Sequence, residues 1–174
     1  MSAAPVVIRA ARLEDIPSLY ACLDAVAREA RYLAFLEAPA FAQSQAYWTE
    51  MIERGCPFEV ALDGARAIGW SDITPVPRPA FAHCGTLGIG LHAEYRGRGI
   101  GQKLLEATIA AAWRYGLERI ELTVFMSNER ARRLYEKLGF LPEGVLRRHR
   151  KVNGAYEDSL FMALLRDRER PEER

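Results

Sequence analysis

A chain of 174 residues is long enough for one domain with a sizeable core, and 49% hydrophobic with 27% charged residues is an ordinary globular balance. The formal net charge of +1 gives no general attraction to nucleic acid or to an anionic membrane surface. The three cysteines, Cys22, Cys56 and Cys84, stand far apart with no CxxC pair, which argues against a disulfide framework or a zinc site. They read as small buried hydrophobes. No apolar run approaches the ~18 residues of a membrane span, and no apolar core follows Arg9 and Arg12 to make a signal peptide. The expectation is a cytoplasmic protein with no membrane and no nucleic-acid partner.

Residues 6–9 read as a short strand, and 12–16 as a turn into a helix that accepts Pro17 in its first turn. Leu19, Leu23, Val26 and Ala27 give that helix one apolar face. Residues 31–42 (RYLAFLEAPAFA) are irregular and interrupted by Pro39. They read either as a helix–helix hairpin on a sheet or as a mobile, aromatic wall of a ligand pocket. A helix over 43–54 turns Tyr47, Trp48 and Met51 inward. Three strands follow, over 58–62, 66–73 and 82–92. The turn Asp63-Gly64 joins the first two, and the proline-rich loop 74–79 (TPVPRP) separates the last two. A helix over 101–116 has an inward stripe of Leu104, Leu105, Thr108, Ile109 and Ala112. A strand over 120–125 and a helix over 129–138, ended by Gly139, come next. The hairpin 144–152 and 156–165, around Asn153-Gly154, closes the chain, and 166–174 is a charged tail expected to fray. No repeat or linker divides these elements. They predict a single domain over 1–174, with its core in about 6–165, of α+β class with a mixed, mostly antiparallel sheet.

The densest chemical information lies in residues 85–101, GTLGIGLHAEYRGRGIG. A strand runs into alternating Arg and Gly, and a helix follows at once. Gly99 and Gly101 lack Cβ atoms, so backbone N–H groups there can approach anionic oxygens, and the helix start adds its positive end. Arg96 and Arg98 can add charge-assisted hydrogen bonds, which suits the diphosphate of a nucleotide-like cofactor. The glycines at 97, 99 and 101 are two apart and the loop lies in mid-chain, unlike the dinucleotide fingerprint. The helix opens Gly101-Gln102-Lys103, which is not a P-loop. Gly88 and Gly90 suit a strand whose backbone leaves its ladder or is closely approached.

A second stretch, residues 128–140 (NERARRLYEKLGF), puts Ala131, Leu134, Tyr135 and Leu138 on one helical face, with Asn128 placed as N-cap. Proton acceptors in the neighbourhood are Glu121, on the strand 120–125, and His92, at the end of the glycine-bearing strand; His83 enters that strand from the other side. No His, Asp or Glu cluster has metal-ligand spacing, so no metal is expected.

These two stretches together resemble the GCN5-related N-acetyltransferase (GNAT) family. Arg96, Gly99 and Gly101 fall on its Q/R-x-x-G-x-G/A pattern, with Gly97 an extra glycine, and Asn128 and Tyr135 match two further positions. The resemblance implies a mixed sheet split at a bulge between two parallel strands, helices on both faces, and acetyl-CoA as cosubstrate in the split. It implies cofactor contacts from Ile89, Gly90 and Leu91 to the pantetheine arm and from Arg96, Gly97, Arg98, Gly99, Ile100 and Gly101 to the phosphates, with Asn128 beside them. It makes Tyr135 the acid that protonates the departing thiolate, and leaves Glu121, His92 and His83 as alternatives for the base. The ending 153–162 looks like members that acetylate small amines and amino acids, where a hairpin returns residues such as Tyr156 and Asp158 toward the acceptor. The implied activity is direct N-acetyl transfer to a small-molecule amine, with a homodimer as the expected assembly. A protein or peptide amine as acceptor, and a non-catalytic coenzyme A sensor, are the competing readings.

Overall fold

The computed structural model describes residues 5–166. The charged tail expected to fray falls almost wholly outside them. In chain order the elements are β1 (Val7–Ala10), α1 (Ile16–Ala27), α2 (Phe41–Glu53), β2 (Phe58–Asp63), β3 (Arg66–Pro75), β4 (Cys84–Leu91), α3 (Ile100–Tyr115), β5 (Arg119–Phe125), α4 (Glu129–Lys137), β6 (Leu141–Val152) and β7 (Ala155–Leu165). The strands form one seven-stranded sheet in the order β1-β2-β3-β4-β5-β7-β6. Only β4 and β5 run parallel; the other neighbours are antiparallel.

Alternation along β2 and β3 divides the core into two layers. Phe58, Val60, Leu62 and Trp70 face α1 and α2, where they meet Leu19, Leu23, Trp48 and Met51. Ala61 and Ile68 face α3 and meet Ile100 and Leu104. Leu105 and Ala112 of α3 continue this side over Ile73 and Ile120, joined by Tyr135 of α4 and the fully buried Phe140. The inward stripe of α3 read from sequence is therefore the stripe that packs. Its helix begins at a left-handed Gly99 (φ +77°) and ends at a left-handed Gly116 (φ +103°), conformations that cost an L side chain free energy.

The parallel pair β4–β5 is short. Cys84, Gly85 and Thr86 pair with Arg119, Ile120 and Glu121, and there the ladder stops. Both strands continue, β4 to Leu91 and β5 to Phe125, and the sheet opens between them. The expected split is present, but β4 has no bulge in its pairing with β3: the register runs unbroken from Gly69–Leu91 to Pro75–Gly85. Gly88 and Gly90 stay in that ladder. A Cβ on Gly88 would sit 2.9 Å from Oδ1 of Asp72, and one on Gly90 would collide with the Trp70 ring. Each glycine makes room for the side chain directly opposite on β3. Gly90→Ala is accordingly expected to lower the urea midpoint by overpacking against Trp70, a loss of about 1–3 kcal/mol, measured by equilibrium unfolding.

Two further differences follow from packing. Residues 28–40 form turns and bends rather than a helical hairpin, and α2 starts only at Phe41. Asp24 Oδ1 accepts the Ala38 N–H at 3.2 Å, and the Tyr20 hydroxyl donates to the Pro39 carbonyl at 3.1 Å. These bonds hold the segment across α1 in place of a helix. β3 runs two residues further than its apolar pattern suggests, taking Thr74 and Pro75 into the sheet.

Candidate active site

Two cavities lie back to back along β4. One, of about 330 Å³, fills the split between β4 and β5. Gly90 and Leu91 line it, with Gly97, Gly99, Gly101, Thr123, Phe125, Asn128, Arg130 and Tyr135. The other, of about 480 Å³, lies between β3–β4 and the helical layer of α1 and α2, and is walled by Phe35, Tyr47, Trp48, Trp70 and Asp72. Ile89 lines both. The segment 31–40 that read ambiguously in sequence contributes Leu33, Ala34, Phe35 and Pro39 to the larger cavity.

In the split, the glycines have different reasons. Gly97 (φ +83°) and Gly99 (φ +77°) are required by backbone conformation. Gly101 is not: its φ is ordinary, and a Cβ there would come no nearer than 3.8 Å to Leu134. The first N–H groups of α3 have no intrahelical acceptor, and Gly101 leaves them open to the cleft. Arg130 lines the same cleft, with a guanidinium nitrogen 3.4 Å from where a Gly97 Cβ would stand, and it makes no ion pair among the described residues. Arg96 also lines this cleft, with its guanidinium already paired within the protein. Its Nε donates to the Leu91 carbonyl at 2.8 Å, and its Nη1 and Nη2 donate to both oxygens of Glu29 at 2.7 and 2.5 Å. Its guanidinium also stacks over Tyr32, 4.6 Å from the ring centroid. Arg96 therefore fastens the loop to the end of α1. Arg98 lies over Tyr95 at 5.3 Å.

Asn128 caps α4 as expected, with Oδ1 accepting the Ala131 N–H at 3.3 Å. This cap faces Tyr135 into the cleft one helical face along. The Tyr135 ring is 7% exposed and packs 5.8 Å from Phe140. Among the described residues its hydroxyl has no hydrogen-bond partner, and burial pushes its pKa well above that of an ordinary phenol.

Glu121 and His92 line neither cavity. Glu121 sits where the β4–β5 ladder is still closed, ion-paired to Arg119 at 3.2 Å in a separate cavity of about 450 Å³ that His83 also borders. His92 packs behind the loop, with Nε2 3.3 Å from Arg66 and Nδ1 3.6 Å from Glu94. Tyr156 and Asp158 are also elsewhere: Tyr156 stacks under Arg148 and Lys151, and Asp158 accepts the Arg148 N–H at 2.7 Å. Both pin the β6–β7 hairpin.

The acid that lines one of the two cavities along β4 is Asp72, which the sequence does not single out. It is 6% exposed. Its Oδ2 accepts the Tyr47 hydroxyl at 3.0 Å and the Thr74 hydroxyl at 3.4 Å, and Tyr47 and Thr74 are themselves 2.5 Å apart. Burial pushes the carboxyl up to about 6, against the lowering effect of Tyr47, Thr74 and the Trp70 indole. The available signal was an acid within a buried strand opposite a glycine, but it shows only once register is known.

No cysteine lines either cavity, and all three are buried thiols. Burial pushes Cys22 up to about 12 and raises Cys84, so neither is a thiolate near neutral pH. Among the described residues no three His, Cys, Asp or Glu side chains are gathered for a metal ion.

The stretch that carries both cavities, the glycine loop and the tyrosine helix is matched by the acetyltransferase (GNAT) family model, over residues 20–140. The chain belongs to the GNAT family. It is similar to the L-amino acid N-acetyltransferase AaaT of Escherichia coli, 32% identical over 105 residues. That match takes in 60% of this chain and 65% of the relative, just under two thirds of its length. A GNAT-family acetyltransferase from Streptococcus pneumoniae superposes with a TM-score of 0.86 at 27% identity, over 92% of this chain and 99% of that one. The fold is also that of yncA from Salmonella typhimurium, solved with its cofactor acetyl-CoA (TM-score 0.88, 20% identity, 95% and 96% covered).

Proposed function

We propose that the chain is an N-acetyltransferase that moves the acetyl group of acetyl-CoA directly to the primary amine of a small molecule. One observation carries this reading: two cavities meet at Ile89, with Tyr135 in one and Asp72 in the other. The split suits acetyl-CoA. It offers the open N–H groups of the α3 start, an Arg130 with no ion pair among the described residues and a Gly101 whose missing Cβ serves no local purpose. The aromatic walls of the larger cavity favour a small acceptor over an extended peptide.

In this reading Asp72 takes a proton from the incoming ammonium and so frees the nitrogen lone pair. The carbon–nitrogen bond then forms at the thioester carbon and the carbon–sulfur bond breaks. Tyr135 gives its proton to the departing sulfur. The second nitrogen proton passes to solvent, Tyr135 regains a proton from solvent, and Asp72 releases the one it took. The absence of a cysteine from both cavities suits transfer without a covalent enzyme intermediate.

The test is thiol release from acetyl-CoA over a panel of primary amines, with acetyl-CoA binding measured by calorimetry. Binding with amine-dependent release supports the reading; binding with no release for any amine leaves a protein acceptor or a sensor. Gly101→Ala is expected to leave the melting temperature within a degree or two while weakening acetyl-CoA binding about tenfold, since within the protein the added methyl meets only Leu134, at an ordinary contact distance of 3.8 Å. A loss of stability equal to the loss of binding would make Gly101 merely structural.

A further inference from the structure

Resting on the acetyltransferase reading, the inference concerns what the larger cavity accepts. We propose that the acceptor is a primary amine on an apolar, carboxylate-free body, an arylalkylamine in chemical class, with its ammonium against Asp72 and its body among Phe35, Trp48 and Trp70.

The charge pattern of the cavity carries this. Among the described residues lining it there is no lysine, arginine or histidine, and Asp72 is its one acid. The remaining polar groups are neutral: the hydroxyls of Ser44, Tyr47, Thr74 and Thr86, the amide of Gln43 and the indole N–H groups of Trp48 and Trp70. Such a site attracts a cation. An α-carboxylate would enter with no counter-charge and would meet the Asp72 carboxylate, a like-charge approach in a poorly solvated space. An amino acid is thus disfavoured relative to the amine that lacks its carboxylate.

The geometry of Asp72 fixes where the nitrogen goes. Tyr47 and Thr74 both bond Oδ2, while Oδ1 is the oxygen turned toward Gly88 of β4. Gly88 adjoins Ile89, the residue shared with the cofactor cleft. An ammonium on Oδ1 therefore lies beside the partition between the cavities. At about 480 Å³ the cavity falls in the usual range for small-ligand pockets, and its two indoles and Phe35 offer ring faces and edges to an aromatic body.

The experiment compares 2-phenylethylamine with L-phenylalanine, which differ only by the carboxylate, and with L-phenylalanine methyl ester, which masks it. All are read by thiol release at saturating acetyl-CoA. The expected kcat/KM for 2-phenylethylamine exceeds that for L-phenylalanine about 100-fold, with the ester recovering most of the difference. Gln43→Arg, which puts a cation at the exposed rim of the same cavity, is expected to raise the L-phenylalanine to 2-phenylethylamine ratio about tenfold. Equal or better use of L-phenylalanine, or turnover of peptides alone, overturns the proposal while the acetyltransferase reading stands. Failure of every amine overturns both.

Discussion

Asp72→Asn is expected to reduce kcat/KM for the amine by about 10²–10⁴-fold, the range of a lost general base. In the parent enzyme, log kcat/KM should rise with pH through about 6, as the buried carboxyl loses its proton and becomes able to accept one. The variant should lack that limb. The titratable group facing Asp72 is Tyr47, whose own pKa burial pushes far above the phenol range, so it stays a proton donor throughout. Stability runs the opposite way. A carboxyl raised in the folded state adds stability below the unfolded value near 4 and loses it as pH climbs through about 6. The swing is on the order of 3 kcal/mol. Asn cannot ionise, so the variant should be at least as stable as the parent at pH 8, as urea titrations at pH 5 and pH 8 would show. A folded variant that keeps its activity and the limb near pH 6 would remove the base assignment.

Tyr135→Phe is expected to lower kcat about 10²–10³-fold with little change in acetyl-CoA affinity. The ring contact with Phe140 survives the substitution, and the hydroxyl has no hydrogen-bond partner to lose among the described residues. The melting temperature should therefore hold, because the substitution breaks no hydrogen bond among the described residues. The raised pKa keeps Tyr135 protonated across the working range, so it should contribute no alkaline limb to the parent profile. A fall in acetyl-CoA affinity matching the fall in kcat would make Tyr135 a binding residue and exclude the proton-donor role.

The parts of the site that sequence displayed were those carried by one contiguous stretch. The alternation of residues 85–101 and the helical face of Tyr135 are local patterns, and both appear where periodicity places them. What stayed hidden depends on pairing between strands. Asp72 acquires its meaning from Gly88 opposite, and that register comes from β3–β4 pairing over seven residue pairs. Glu121 has the right alternation but lies at the closed end of the split, a position set by where the parallel ladder stops. Arg96 looked free for phosphate because Glu29, its partner, is 67 residues away. Residues 28–40 offered no period at all, since they are held by bonds to Asp24 and Tyr20 rather than by a repeating structure of their own.

The glycines of β4 have a last consequence. This strand presents bare backbone to the larger cavity at Gly88 and to the split at Gly90, and the space above them belongs to Asp72 and Trp70 of its neighbour. On the proposed reading, selectivity for the acceptor would be set by β3, α2 and the segment before it, while the glycine loop that follows β4 would hold the cofactor. The two halves of the site would then be separable units: one could be rewritten for a new amine while the other is copied unchanged.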